Sequence, residues 1–162
     1  MAQQSDWREN DTPVFLISNG SLISLMQETL ARGKTFRFIA HGDSMAPFIC
    51  DGDVLTISPL PSGRIGLGCV VAFTRQQTNA LVVHRVIARK DGAVLIHGDN
   101  LTGVSDGWVT FEYLLGCVTH VSRNGKTVSL GLGFERYAIA WLSRKHWLNP
   151  LRAFVAKLRG RA

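Results

Sequence analysis

The rhythm of apolar and polar positions changes twice along this chain. Between Ser21 and Gly33, the residues Leu22, Leu25, Met26, Thr29 and Leu30 recur at the three- and four-residue spacing of one helix face. Ser21 can cap the start of that helix, and Gly33 stops it. From Thr35 the period drops to two: Phe36, Phe38 and Ala40 alternate with Arg37 and Ile39. Further β-like runs follow at 53–58, 68–74, 80–89, 93–97, 108–111, 114–122 and 126–131, divided by Asp-Gly, Pro-Ser-Gly and Asn-Gly turn signals. Lys90-Asp-Gly-Ala and Arg123-Asn-Gly-Lys predict tight hairpins. The helical period returns at Phe134, Tyr137, Ala138, Trp141 and Leu142. Asn149-Pro150 then opens a second stripe of Leu151, Phe154, Val155 and Leu158.

These rhythms predict a mainly β protein in three parts. Residues 1–34 form an N-terminal extension with a polar lead-in over 1–12 and one short helix. Residues 35–131 form a coiled antiparallel β-domain, and 132–162 a basic tail of two amphipathic helices. The length of 162 residues and the apolar share of 46% suit one domain with a real core. No stretch is long and apolar enough to predict a transmembrane helix, and the polar start does not look like a secretory signal. The expected location is therefore the cytoplasm.

Charge adds one feature. Residues 1–134 balance, whereas 135–162 hold seven Lys/Arg against Glu135 alone, so the whole net charge of +6 belongs to the tail. Two readings of the tail stay open: peripheral contact with an anionic membrane through 135–162, at its inner face, or packing on the β-domain with only a polar face left basic. No nucleic-acid motif accompanies the charge, so no nucleic-acid partner is expected. The three cysteines, Cys50, Cys69 and Cys117, lack metal or disulfide spacing and read as reduced thiols. No metal and no cofactor is implied. His41, His97, His120 and His146 read as ordinary surface or strand histidines.

The chemistry concentrates in His41-Gly-Asp-Ser-Met-Ala-Pro-Phe-Ile-Cys-Asp-Gly-Asp-Val-Leu. A lone serine there would be a turn residue. The string Gly42-Asp-Ser44-Met45-Ala-Pro47, followed by Asp51-Gly52-Asp53-Val54, resembles the nucleophile turn of the signal peptidase I-like serine peptidases and of their relatives among self-cleaving repressors. Gly68-Cys-Val-Val-Ala-Phe resembles the family's next strand, with Cys69 in place of the usual aspartate. Val82-Val-His84-Arg85-Val86 resembles the strand that bears the base, and Gly98-Asp99-Asn100 the box that follows. The likeness covers roughly residues 36–121.

This resemblance implies a serine endopeptidase that removes a leader or signal-like peptide from a precursor protein. Ser44 would be the nucleophile and His84 its general base. Histidine where bacterial members carry lysine resembles the endoplasmic-reticulum and archaeal branch. The physical case stands beside it: a serine hydroxyl needs an adjacent base, and imidazole titrates near working pH. A carboxylate should fix the imidazole. Asp99 and Asp106 are both candidates, with Asp106 favoured as the direct partner and Asp99 as a support. The Ser44 backbone N–H is the expected oxyanion donor. Gly42 stands where relatives often supply a hydroxyl, which leaves one donor unassigned. Met45 is expected in the scaffold or in the adjoining subsite, Asp51 and Asp53 in the turn after the loop. Arg85, alternating with His84, is expected on the opposite side of the strand in a solvated or structural role. Two other readings compete: a non-catalytic module that binds an extended peptide by strand addition, and an autoprotease-type regulator, which would call for a DNA-binding helix-turn-helix and a lysine base.

Overall fold

The turn signals and two-residue alternation produce one curled antiparallel sheet. The computed structural model describes residues 19–61, 65–101 and 105–144. The lead-in over 1–12 and the second tail helix after Asn149 lie outside the described residues. A helix, α1 (Asn19–Ala31), is followed by β1 (Phe36–Ile39), β2 (Val54–Ser58), β3 (Val70–Arg75), β4 (Ala80–Lys90), β5 (Ala93–His97) and β6 (Gly107–Thr110). A single 3₁₀ turn, β7 (Leu114–Arg123), β8 (Lys126–Thr127) and α2 (Arg136–Arg144) complete the order. The strands lie in the order β1-β2-β7-β3-β4-β5-β6, with β8 paired to β7. The expected hairpins are present: Lys90 pairs with Ala93, and Arg123 with Lys126.

The long central strands bury both faces, and that divides the interior in two. On β3, Val70 and Ala72 join α1, β1 and β2 in one core, while Val71 and Phe73 join β5, β6 and Val86 in another. Removing apolar surface from water on both sides holds these strands in one register, because a one-residue slip would exchange the two sets.

Two helix faces differ from the sequence expectation. On α1 the buried residues are Ile23, Met26 and Leu30, and Leu25 is exposed. Leu22 and Ile23 are adjacent, so the pattern fits two faces about 100° apart, and packing selects the one centred on Met26. On α2, Ile139, Ala140 and Ser143 are buried, whereas Tyr137 and Trp141, and Phe134 just before the helix, are exposed. The aromatic stripe of the described tail faces outward, not into the core.

Candidate active site

The turn that carries Ser44 is fixed from below, behind and both ends. Below it, Met45, Phe48 and Ile49 are buried, and the Phe48 and Ile49 amides donate to the Met45 carbonyl at 3.1 Å each. At one end, the Gly42 amide donates to Asp51 Oδ1 at 2.8 Å. At the other, the Cys50 amide donates to Asp53 Oδ2, also at 2.8 Å. Arg123 from β7 then binds both Asp53 oxygens at 2.8 Å. That ion pair outweighs the cost of burial and lowers the Asp53 carboxyl below its usual value. Asp51 and Asp53 therefore shape the turn by accepting hydrogen bonds from backbone N–H groups.

From behind, Asn100 donates its backbone N–H to the Ser44 carbonyl at 2.7 Å and its side-chain amide to the Asp43 carbonyl at 2.6 Å. The neighbouring Gly98 is required by contact: a Cβ there would lie 2.8 Å from the Ser44 carbonyl oxygen. The box Gly98-Asp99-Asn100 is thus a clip on the back of the serine turn.

β4 supplies the imidazole. His84 stands opposite Val71 in the sheet, and its ring packs 6.2 Å from that of Phe73. Its Nε2 lies 2.9 Å from Ser44 Oγ. Its Nδ1 is hydrogen-bonded to Asp106 Oδ2. The other Asp106 oxygen, Oδ1, accepts from Arg75 Nη2. The Asp106 side chain is only 4% exposed. Burial alone would push its carboxyl upward, but the His84 bond and charge, followed by those of Arg75, prevail and hold it below its ordinary value. Of the two candidate aspartates, Asp106 is the one on His84.

Asp99 is elsewhere. Its oxygens accept from Arg85 Nε at 2.9 Å and Nη2 at 2.6 Å, and one accepts from Ser143 Oγ at 3.2 Å. Of the two roles expected for Arg85, solvated or structural, the structure shows the structural one. Arg85 is fully buried, donates to the carbonyls of Gly68 and Gly131, and lies over the Phe48 ring at 5.5 Å. Over His84–Ile87 both faces of β4 are covered, so even its outward-reading charge is enclosed. The Asp99 amide also meets Met45 Sδ at 3.5 Å.

A groove of about 410 Å³ opens beside Ser44 and His84, with Phe38, Ala40, Met45 and Val83 among its walls. The amide N–H of Ser44 has no acceptor among the described residues, so it is free to meet a ligand oxygen. Gly42 has φ +86° and open space where a Cβ would point. The left-handed backbone explains glycine there, since a serine or threonine would be strained. Arg75 was not singled out from the sequence. It ends a strand before Gln76 and Gln77, where an arginine reads as an ordinary turn flank. Among the described residues no cluster of His, Cys, Asp or Glu could hold a metal ion.

A curled antiparallel sheet with a serine turn at its edge, a short helix before it and a helix after it is the architecture of the S24-type peptidases. The sequence profile of the Peptidase S24-like family matches residues 10–106, well over half of the chain, and the protein belongs to that family. No curated protein matches it. The family is one of peptidases and repressor-type autoproteases, hydrolases in general.

Proposed function

We propose that this protein is a serine endopeptidase that cleaves a leader or signal-like peptide from a precursor, with Ser44, His84 and Asp106 in the roles of nucleophile, base and orienting carboxylate. The observation that carries the reading is the continuous chain from Ser44 Oγ through His84 Nε2, at 2.9 Å, to Asp106 on Nδ1. Asp106 accepts a hydrogen bond from Nδ1–H and leaves Nε2 as the acceptor for the serine hydroxyl. Ser44 Oγ attacks the scissile carbonyl carbon while its proton passes to Nε2. The developing oxyanion is met by the Ser44 amide N–H. Nε2 then gives its proton to the leaving amine as the C–N bond breaks. Water, deprotonated by the same nitrogen, then attacks the acyl carbon, the ester C–O bond breaks, and Nε2 returns the proton to Ser44 Oγ.

A histidine base supports kinship with the endoplasmic-reticulum and archaeal type of the wider peptidase group, in preference to the lysine-dependent repressors. Met45, beside the serine, is proposed to line the adjoining subsite, and Asp99 to support the site through the clip and Arg85. The resemblance favours small residues such as Ala one and three positions before the cut.

The test is cleavage of extended precursor peptides bearing such residues, by wild type beside Ser44→Ala and His84→Ala. Either substitution is expected to lower kcat by roughly 10³-fold or more. Equal cleavage by all three proteins would overturn the reading. Saturable peptide binding by wild type without any cleavage would favour the strand-addition module, a reading that the missing hydroxyl at Gly42 supports.

A further inference from the structure

We propose that Arg75 is a positioning residue for the Ser44–His84 pair, holding the Asp106 carboxylate in place by the oxygen that His84 leaves free. The proposal rests on the catalytic reading above. Arg75 is the last residue of β3 and pairs with Ala80, the first of β4. His84 lies further along β4, opposite Val71. The arginine therefore reaches Asp106 from the strand end beside the groove, while the imidazole reaches it from within the sheet.

Asp106 needs such a second partner. It precedes β6, and its own backbone N–H donates a hydrogen bond to the Ile96 carbonyl at 3.0 Å. Nothing in that bond fixes the rotation of the carboxyl group. With His84 on one oxygen alone, a nearly enclosed carboxylate would keep an uncompensated lone-pair side and could swing about its side-chain torsions. The Arg75 contact on Oδ1 removes that freedom and aligns Oδ2 with Nδ1. Guanidinium suits the task because it stays charged at every working pH and donates in a fixed plane.

The contact also bears on protonation. Among the described residues, the charged and titratable groups that face Asp106 are His84 from β4 and Arg75 from β3. A permanent positive charge on the far oxygen opposes uptake of a second proton by the aspartate–imidazole couple. Removing it makes that proton easier to add. Arg75 is itself 39% exposed and lines the groove, so solvent screens part of the effect. A peripheral ion pair with no link to the imidazole would leave the couple's titration unchanged.

The experiment compares Arg75→Gln, Arg75→Lys and Ser44→Ala with wild type. Nuclear magnetic resonance follows the His84 ring nitrogens through a pH titration, and peptide cleavage is measured on the same proteins. In Arg75→Gln the couple's titration is expected to move to higher pH by about half a unit or more. The kcat value is expected to fall roughly tenfold with KM little changed, and the acid limb of kcat/KM to move with the titration. Arg75→Lys keeps the charge without the planar fork, so the titration should return towards wild type while kcat stays reduced. An Arg75→Gln protein with the wild-type titration and kcat would overturn the proposal. If that variant does not fold, Arg75→Lys with wild-type kcat would do the same. Ser44→Ala separates the two ideas. If it cleaves like wild type, the catalytic reading fails, whereas the imidazole titration still reports on Arg75 by itself.

Discussion

His84 and Arg85 are neighbours on β4, yet one serves the groove and the other the interior. The imidazole meets Ser44 across 2.9 Å. The guanidinium is spent on Asp99 and two backbone carbonyls, at 2.6–2.9 Å. Arg85→Met would strand the Asp99 carboxylate in a site where both side chains are 0% exposed. A loss of about 3–5 kcal/mol is expected in urea unfolding, and Arg85→Met with Asp99→Leu should lose less than Arg85→Met alone. A single variant as stable as wild type would contradict this account. Much of the site was legible at this scale. Ser44 stood out through its neighbours Gly42, Met45 and Pro47, and His84 through its place in a valine-rich strand. Asp106 could be shortlisted, although spacing did not separate it from Asp99. Arg75 was invisible because its contact with Asp106 depends on which loop the sheet edge meets, and local pattern does not carry that.

At the scale of the element, β3, β4 and β7 set the geometry. They are central strands, and little slack exists where β7 meets β2. A Cβ on Gly116 of β7 would lie 2.5 Å from both Ile57 Cγ2 and the Ser58 carbonyl oxygen. Gly116→Ala should therefore cost roughly 1–3 kcal/mol through overpacking, visible as a lower Tm. An unchanged Tm would mean that β2 yields more readily than its close approach implies. The strands were legible because alternation and Asp-Gly or Asn-Gly turns are local signals, and their bounds came within a few residues. The helix faces were less so. A short helix with Leu22, Ile23, Leu25 and Met26 in its first turns offers more than one apolar side, and only the sheet beneath decides between them. The aromatic residues of α2 have the period of a core stripe, but smaller Ile139, Ala140 and Ser143 take the inward positions.

For the whole molecule, charge pairing predicts how the fold answers acid. Asp53 and Asp106 both titrate below the ordinary 3.8 when folded. A carboxyl with a depressed folded value stabilises the fold at any pH above its unfolded value, and that contribution fades as pH falls through the folded one. Stability should thus be level down to about pH 5 and decline below about pH 4. Asp53→Asn should flatten part of that decline; an unaltered acid slope would exclude Asp53 as a source. The outward aromatics Phe134, Tyr137 and Trp141 beside Arg136 and Arg144 support the membrane reading of the tail. Cosedimentation with anionic vesicles, reduced by salt and by Trp141→Ser, is the expected result, and no binding would favour packing of the tail instead. No helix of the described residues is long and apolar enough to cross a membrane. The clip on the serine turn has a further consequence, for timing. Ser44 is held by Asn100, and His84 is met by Asp106, so the earliest-made part of the centre waits on the part made more than fifty residues later. On the proposed catalytic reading, a growing chain would carry no assembled centre, and so no activity against itself or its neighbours, until Asn100 and Asp106 have been made and have docked.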